Sequence, residues 1–316
     1  MITNTRMCWG DKMCAQLNHL AELLYICREN NQQLVLLKEL KDFRTGFRFS
    51  DAFDVDFVEY VERSGAIKKA VINIYCKMSN RKTWQQKTKR SGNKGIYLFM
   101  DLALHKWIRK SYPDFIQIRG YKDDVHTDKR LLNLDSNKNY DISGGYGTYQ
   151  DWKKYETIIR QGIRFKPEIA EAGDIAFREL DPDKKKISLH IRRTDYLVVG
   201  LALLDDSYYK KAMECFAEEN VQFLVFSDDI EYCKTMDLFK GADVIFMERR
   251  PGPVDLYLMT LCDGNIIANS TFSFWGAFLN KKKDKKVVCP KRFVGDDLTD
   301  FTYINGNYYP NDWIAI

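Results

Sequence analysis

The sequence predicts an α/β fold whose second half is a doubly wound parallel sheet. Three observations predict it. From about residue 153 to 288, short apolar strands alternate with helical segments across short links. Three of those strands end in polar clusters, His190-Ile191-Arg192-Arg193, Ser227-Asp228-Asp229 and Asn269-Ser270-Thr271-Phe272-Ser273. The composition, 45% hydrophobic and 14% aromatic over 316 residues, supplies a large core. That length suits two ordinary domains or one large one.

In the less regular first half, Leu17, Leu20, Leu23, Leu24 and Cys27 keep three-and-four spacing and predict a helix over 12–30. Gln33 to Leu37 reads as a buried strand, and Ala70–Tyr75 as another. Between Lys77 and Lys94 there are seven basic residues and no acidic one, with Trp84 among them. Such a run is a solvated loop or a contact to an anionic surface.

The second half begins with a helix around Lys153–Gly162, then Arg164-Phe165-Lys166-Pro167 and a helix near Glu168–Leu180. Residues 187–191 form a strand, with Ile187, Leu189 and Ile191 on a buried face and His190 and Arg192 on the other. Asp206 caps a helix to Glu218. A strand at Val221–Phe226, a helix over 230–239 and a strand at Val244–Phe246 come next. Pro253 starts a helix to Cys262, Asn265–Ala268 is a strand, a helix runs to about Asn280, and Lys286–Val288 closes the series. The lysines of 281–286 sit at a helix end, where the dipole favours cations.

A net charge of +5 is too small to announce nucleic acid and fits an anionic small molecule or surface. The eight cysteines are scattered without a CxxC pair, which reads as free thiols in a reducing compartment. The four histidines are dispersed, so no metal centre is expected. The N-terminus lacks a signal-peptide core and no apolar span approaches the ~20 residues of a membrane helix. A cytoplasmic chain is expected, with peripheral contact at the inner membrane face left open.

In doubly wound sheets, ligands bind beyond the carboxyl ends of the strands. Two guanidiniums beside an imidazole and a carboxylate suit a phosphorylated ligand, although basic residues also end strands because they are solvated there. The 269–273 cluster opens a helix whose N–H groups and dipole suit a phosphate, and Asn269 or Ser270 also serves as a plain N-cap.

The motifs resemble those of the α-1,2-fucosyltransferases of glycosyltransferase family 11. The match runs through Gly147-Thr148-Tyr149-Gln150, Ile163-Arg164-Phe165-Lys166-Pro167, His190-Ile191-Arg192-Arg193-Thr194-Asp195-Tyr196 and Asp206-Ser207-Tyr208-Tyr209. It continues through Phe226-Ser227-Asp228-Asp229, Asp255-Leu256-Tyr257-Leu258-Met259, the specific stretch from Ile267 to Ala277, and Tyr309-Pro310-Asn311-Asp312-Trp313-Ile314. The first half departs: the family's opening glycine-rich loop and Asn-Gln pair are replaced by Trp9-Gly10-Asp11-Lys12-Met13.

The resemblance implies a GT-B-like architecture, two Rossmann-like domains with a cleft between them. Residues 1–150 form the acceptor side and 151–316 hold a GDP-sugar. It implies inverting transfer of L-fucose from GDP-β-L-fucose to a galactoside 2-hydroxyl, on a glycan, lipid-linked or free, in O-antigen synthesis, with no metal or cofactor. A related sugar such as GDP-colitose is the alternative. Arg192 and Asp195 are the catalytic candidates, Arg192 at the β-phosphate and Asp195 as base, or as a group orienting Arg193. His190, Arg192, Arg193, Asp228, Asn269, Ser270, Thr271 and Ser273 are the donor-site candidates, with Asp255 reading guanine. Two rivals remain: a metal-dependent transferase using Asp54-Val55-Asp56, and a basic RNA- or membrane-binding module built on 77–94.

Overall fold

The computed structural model describes residues 1–5, 7, 13–38, 49–79, 94–120, 126–144, 147–199, 203–217, 220–291 and 308–316. The chain divides into two compact units, Met1–Gly147 with Lys154–Arg164, and Thr148–Lys153 with Phe165–Ile316.

In the first unit, β1 (Ile2–Thr3) pairs in parallel with β6 (Asn139–Ser143), which pairs in parallel with β5 (Phe115–Arg119). A bridge from Ile2 to Leu34 links β1 towards β2 (Val35–Leu37), whose parallel partner is β4 (Glu59–Val61). A separate two-stranded sheet joins β3 (Phe53–Val55) to β7 (Ile163–Phe165). Helix α1 (Met13–Glu29) is buried nearly all round, and the five residues of its predicted face are each at most 3% exposed. The basic run falls mostly on residues 80–93, outside the described residues, as does the segment from Trp9 to Lys12.

The predicted strand at Ala70–Tyr75 is corrected: it lies inside helix α2 (Ala66–Ser79), and α3 (Lys94–Arg109) is the next helix described. A short β-branched run carries no period long enough to separate strand from helix. The wider window decides, because Ile72 is 2% exposed while Ile67 and Ile74 are 80% and 57% exposed, the one-sided burial of a helix. The predicted helix around Lys153–Gly162 is divided, with α4 (Tyr149–Trp152) and a 3-10 turn preceding α5 (Glu156–Gly162).

The second unit carries the predicted parallel sheet. Its strands are β8 (Lys185–Ile191), β9 (Val221–Ser227), β10 (Val244–Phe246), β11 (Gly264–Ile266), β12 (Lys286–Cys289) and β13 (Ile314–Ala315). Their spatial order is β10-β9-β8-β11-β12-β13, all parallel. Numbered along the chain, that order is 3-2-1-4-5-6, which reverses direction between β8 and β11. A crevice opens at such a reversal, because the connections on either side leave in opposite directions.

The helices of this unit include α6 (Pro167–Arg178), α7 (Thr194–Val199), α8 (Asp206–Glu214), α9 (Ile230–Lys234), α10 (Gly252–Leu261) and α11 (Thr271–Leu279). The cap of α8 is corrected from Asp206 to Asp205, whose carboxylate accepts the Tyr208 N–H at 2.9 Å while Asp206 is the first helical residue. The predicted helix over 230–239 breaks after Lys234, the end of α9, and resumes as a short 3-10 turn at Asp237–Phe239.

Helix α11 is apolar on every side, and seven of its nine residues are buried. Trp152 stacks on Trp275 at 6.0 Å, and Phe274 meets Tyr308 and Trp313 at 5.5 and 5.3 Å. These rings explain why Thr148–Lys153 belongs to the second unit although the residues on either side belong to the first. No helix among the described residues is long and apolar enough to cross a membrane.

Candidate active site

Strand β8 has neighbours on both edges and is buried on both faces, so its polar residues cannot all meet a ligand. His190 is 3% exposed, with Nδ1 3.0 Å from Ser273 Oγ and its ring 5.4 Å from Phe272. Ser273, 1% exposed, also accepts the Ala268 N–H at 3.1 Å. This differs from the sequence expectation: His190 and Ser273 are occupied with each other beneath the site rather than turned outward to a ligand. Their pairing ties the end of β8 to the first turn of α11.

Beyond Ile191 the strand emerges from the core. His190 and Ile191 pair with Phe226 and Ser227 of β9, so the next residues on each strand face one another: two arginines against two aspartates. Arg192 Nη1 lies 3.2 Å from Asp228 Oδ2, both side chains 17% exposed. Arg193 Nε lies 3.2 Å from Asp229 Oδ2, and its guanidinium stands over the Tyr232 ring at 3.4 Å. Arg193 is thereby clamped between a carboxylate and an aromatic face, which fits it to hold the loop.

Asp228 also accepts the Arg193 N–H at 3.0 Å and the Thr194 hydroxyl. Burial pushes its carboxyl up, but the Thr194 bond, the Arg192 charge and the Arg193 and Thr194 N–H groups outweigh that and hold it below the ordinary carboxylate value. Asp228 is therefore an anion engaged with the arginine loop.

The other wall is the start of α11. Ser270 is the N-cap, its hydroxyl accepting the Phe272 N–H at 3.3 Å. Thr271, half-buried, begins the helix, and first-turn N–H groups have no intrahelical acceptor. Tyr196, in the short helix α7, donates its hydroxyl to the buried Asn269's carbonyl, and its ring lies 5.8 Å from the Arg192 guanidinium. The arginine loop and the helix start thus meet across the β8/β11 reversal. The side chain of Asp195 lies outside the described residues; its backbone is in α7.

Asp255 stands near the start of α10. A Cβ added to Gly252 would lie 3.9 Å from the Phe272 ring, so this helix start is beside that of α11. Among the described residues, Asp255 Oδ1 is buried without a hydrogen-bond partner. Burial pushes its carboxyl up to about 7, with the Arg250 charge and N–H and the Arg249 charge opposing the rise. A partnerless buried carboxylate oxygen is costly unless a ligand supplies donors.

Tyr196 and Tyr232 are the residues that sequence reasoning passed over. Their signal was an aromatic three residues after Asp229 and one four residues after Arg192, spacings that fold back over an arginine only when a helix starts there. Lys282, Lys283, Lys285 and Lys286 line a cavity of about 420 Å³ at the opposite, amino-terminal edge of the strands. Lys282 pairs there with Asp263, and Lys286 donates to the Cys215 carbonyl at 2.7 Å. In the first unit, Asp56 of the Asp54-Val55-Asp56 tripeptide is held by Arg164.

Known proteins match the chain over the segment that carries this site. The model of the family described as Glycosyl transferase family 11 matches residues 87–316, nearly three quarters of the chain. The chain belongs to glycosyltransferase family 11. Similar proteins include the Escherichia coli O-antigen biosynthesis glycosyltransferase WbnK, 38% identical over 129 residues (36% of this chain, 41% of that protein). An Escherichia coli alpha-1,2-colitosyltransferase is 36% identical over 141 residues (41% and 47%). Galactoside alpha-(1,2)-fucosyltransferase 1 of Homo sapiens is 35% identical over 115 residues (31% and 30%). The match spans less than half the length of each of these relatives.

Among solved structures, POFUT1 in complex with GDP-fucose has a TM-score of 0.51 at 12% identity, covering 91% of this chain and 97% of that one. A mutant of Arabidopsis thaliana FUT1 in complex with GDP has a TM-score of 0.52 at 10% identity, covering 91% and 70%. At these identities the family member shares their α/β fold, and that is the extent of the likeness.

Proposed function

We propose that this chain moves L-fucose from GDP-β-L-fucose to the 2-hydroxyl of a galactoside, with inversion at the anomeric carbon. The observation that carries the reading is the meeting of Arg192 and the α11 start at the sheet reversal, with the buried, partnerless Oδ1 of Asp255 at the neighbouring helix start. A nucleoside diphosphate fits that arrangement: cation and helix N–H groups for the phosphates, and a carboxylate for a base bearing adjacent donors. Of the common bases, guanine has that edge, through N1–H and its exocyclic amine.

The acceptor oxygen forms its bond to the anomeric carbon as the bond to the β-phosphate oxygen breaks, and the electron pair leaves with GDP. Arg192 stabilises the charge gathering on the departing phosphate, where fixed donors count most. Asp195 takes the acceptor proton in this scheme. Asp228 and Arg193 hold Arg192's loop, and His190 with Ser273 braces the helix start below. In the GT-B reading the first unit supplies the acceptor side. An acceptor glycan of the O-antigen kind is supported by the likeness to the O-antigen biosynthesis glycosyltransferase WbnK.

The test is a turnover screen of GDP-fucose against β-galactosyl disaccharides, with the product linkage determined. An α-1,2-linked product is expected, and activity should survive EDTA. Arg192→Ala should lower turnover by several orders of magnitude in a folded protein. The second reading, transfer of colitose, is favoured by the 36% identity to a colitosyltransferase. Preference for GDP-colitose over GDP-fucose in the same screen would select it.

A further inference from the structure

We infer that Tyr196 is a positioning residue that sets Arg192 against the leaving diphosphate, an inference that rests on the donor-site reading above. Arg192 lies just past the last residue of β8, and nothing in the sheet ladder fixes a side chain beyond the strand end. Contacts beyond the ladder do so instead. Asp228 takes one side of the guanidinium at 3.2 Å, and the Tyr196 ring stands on another at 5.8 Å from its centroid.

The same tyrosine reaches the opposite wall, because its hydroxyl donates to the carbonyl of Asn269. Asn269 precedes the cap of α11, so a shift of the helix start moves Tyr196, and Tyr196 moves the surface on which Arg192 rests. Its backbone is anchored in turn, since α7 begins immediately after Arg193 and the Leu197 N–H returns to the Arg193 carbonyl at 3.0 Å. One side chain therefore couples the cation and the helix terminus, the two groups that must face the same phosphate.

The consequence is kinetic. Interactions made mainly as charge develops on the leaving group act on kcat, while contacts to nucleoside and sugar persist in the ground state. Loosening Arg192 by a fraction of an ångström should weaken the first class and spare the second.

The experiment compares wild type, Tyr196→Phe and Tyr196→Leu, alone and in an Arg192→Lys background. kcat and donor KM are measured with GDP-fucose, GDP affinity by calorimetry, and Tm alongside. For Tyr196→Phe, kcat is expected to fall about tenfold, with donor KM and GDP affinity within about threefold. Tyr196→Leu, which also removes the ring, should fall further. In the Arg192→Lys background, Tyr196→Phe should cost little more, because the group it positions is already changed. A kcat for Tyr196→Phe equal to wild type, or full additivity with Arg192→Lys, overturns the inference. If wild type neither binds GDP nor consumes GDP-fucose, the donor-site reading falls and takes the inference with it. Wild-type activity with an indifferent Tyr196→Phe removes the inference alone.

Discussion

Asp255 should make the affinity for a GDP-sugar depend on pH in the neutral range. Its carboxyl is pushed up to about 7 by burial, the charges of Arg250 and Arg249 limiting the rise. To accept both guanine donors it must be ionised. The fraction ionised is about one tenth a unit below that value and about nine tenths a unit above it. Affinity should therefore rise roughly tenfold, ~1.4 kcal/mol, between pH 6 and pH 8. A GDP-sugar is the right probe because its diphosphate is a diester and does not itself titrate over that interval. Calorimetry at pH 6, 7 and 8, with wild type and Asp255→Asn, reads the effect. Asp255→Asn should bind about 10–100-fold more weakly at pH 8, the scale of a lost charged hydrogen bond, and its affinity should be flat in pH.

Stability without ligand moves in the other direction. The folded value, about 7, lies above that of an unfolded carboxyl, so the folded state holds this proton more tightly. The contribution is fully present at acid pH and is lost as the pH rises through about 7. Wild-type Tm should accordingly fall between pH 5 and pH 8 relative to Asp255→Asn, and saturating GDP-sugar should remove that difference. An affinity that stays flat from pH 6 to 8, or normal binding by Asp255→Asn, refutes the assignment of this carboxylate to the base.

Three further outcomes rest on the same geometry. Asp195→Asn should abolish most transfer while leaving GDP affinity near wild type; substantial residual transfer would mean that a dissociative path needs little base assistance. Asp228→Asn keeps the side-chain shape but removes the charge facing Arg192, so kcat should fall while GDP affinity holds or rises, as read by steady-state kinetics beside calorimetry. Gly276→Ala places a Cβ 2.8 Å from Met259 Sδ and 2.9 Å from its Cβ, where α10 and α11 pack. It should cost about 1–3 kcal/mol in denaturant unfolding, and an unchanged midpoint would show that the helices move apart freely.

The parallel sheet was legible because β8 to β11 are each bounded by turn chemistry and followed by a helix-period segment, whereas β13, two residues paired to β12, was not predicted. β10 coincides with its prediction at Val244–Phe246, and β8, β9 and β12 extend theirs by one or two residues. The three strand-end clusters were legible as well. What period-two reasoning missed was depth. Alternation assigns His190 to a face but does not say that α11 covers that face, and a central strand of a doubly wound sheet is buried on both sides. The strand at 70–75 failed for a related reason, since Val71, Ile72 and Ile74 favour a strand by type and only the window from Ala66 reveals a helix. Pairing was legible only after the register was known: Arg192 meets Asp228 because Ile191 meets Ser227 on the neighbouring strand.

The depth of α11 also explains why its sequence is so distinctive. A helix start that binds phosphate needs only a cap, backbone N–H groups and a small residue or two. Nothing in that chemistry calls for the sequence Phe274-Trp275-Gly276-Ala277-Phe278, every residue of which is at most 1% exposed or packed against Met259. Those residues pack the helix against Trp152, Tyr308 and Trp313. A donor group aimed at developing charge is effective only if it does not reorganise as the charge appears. In the proposed mechanism the aromatic cage serves the chemistry without touching the substrate. Truncating Trp152, 2% exposed, should cost about 3–5 kcal/mol of stability. If the helix start is held by this packing, that loss should come with weaker GDP binding even where the unit remains folded.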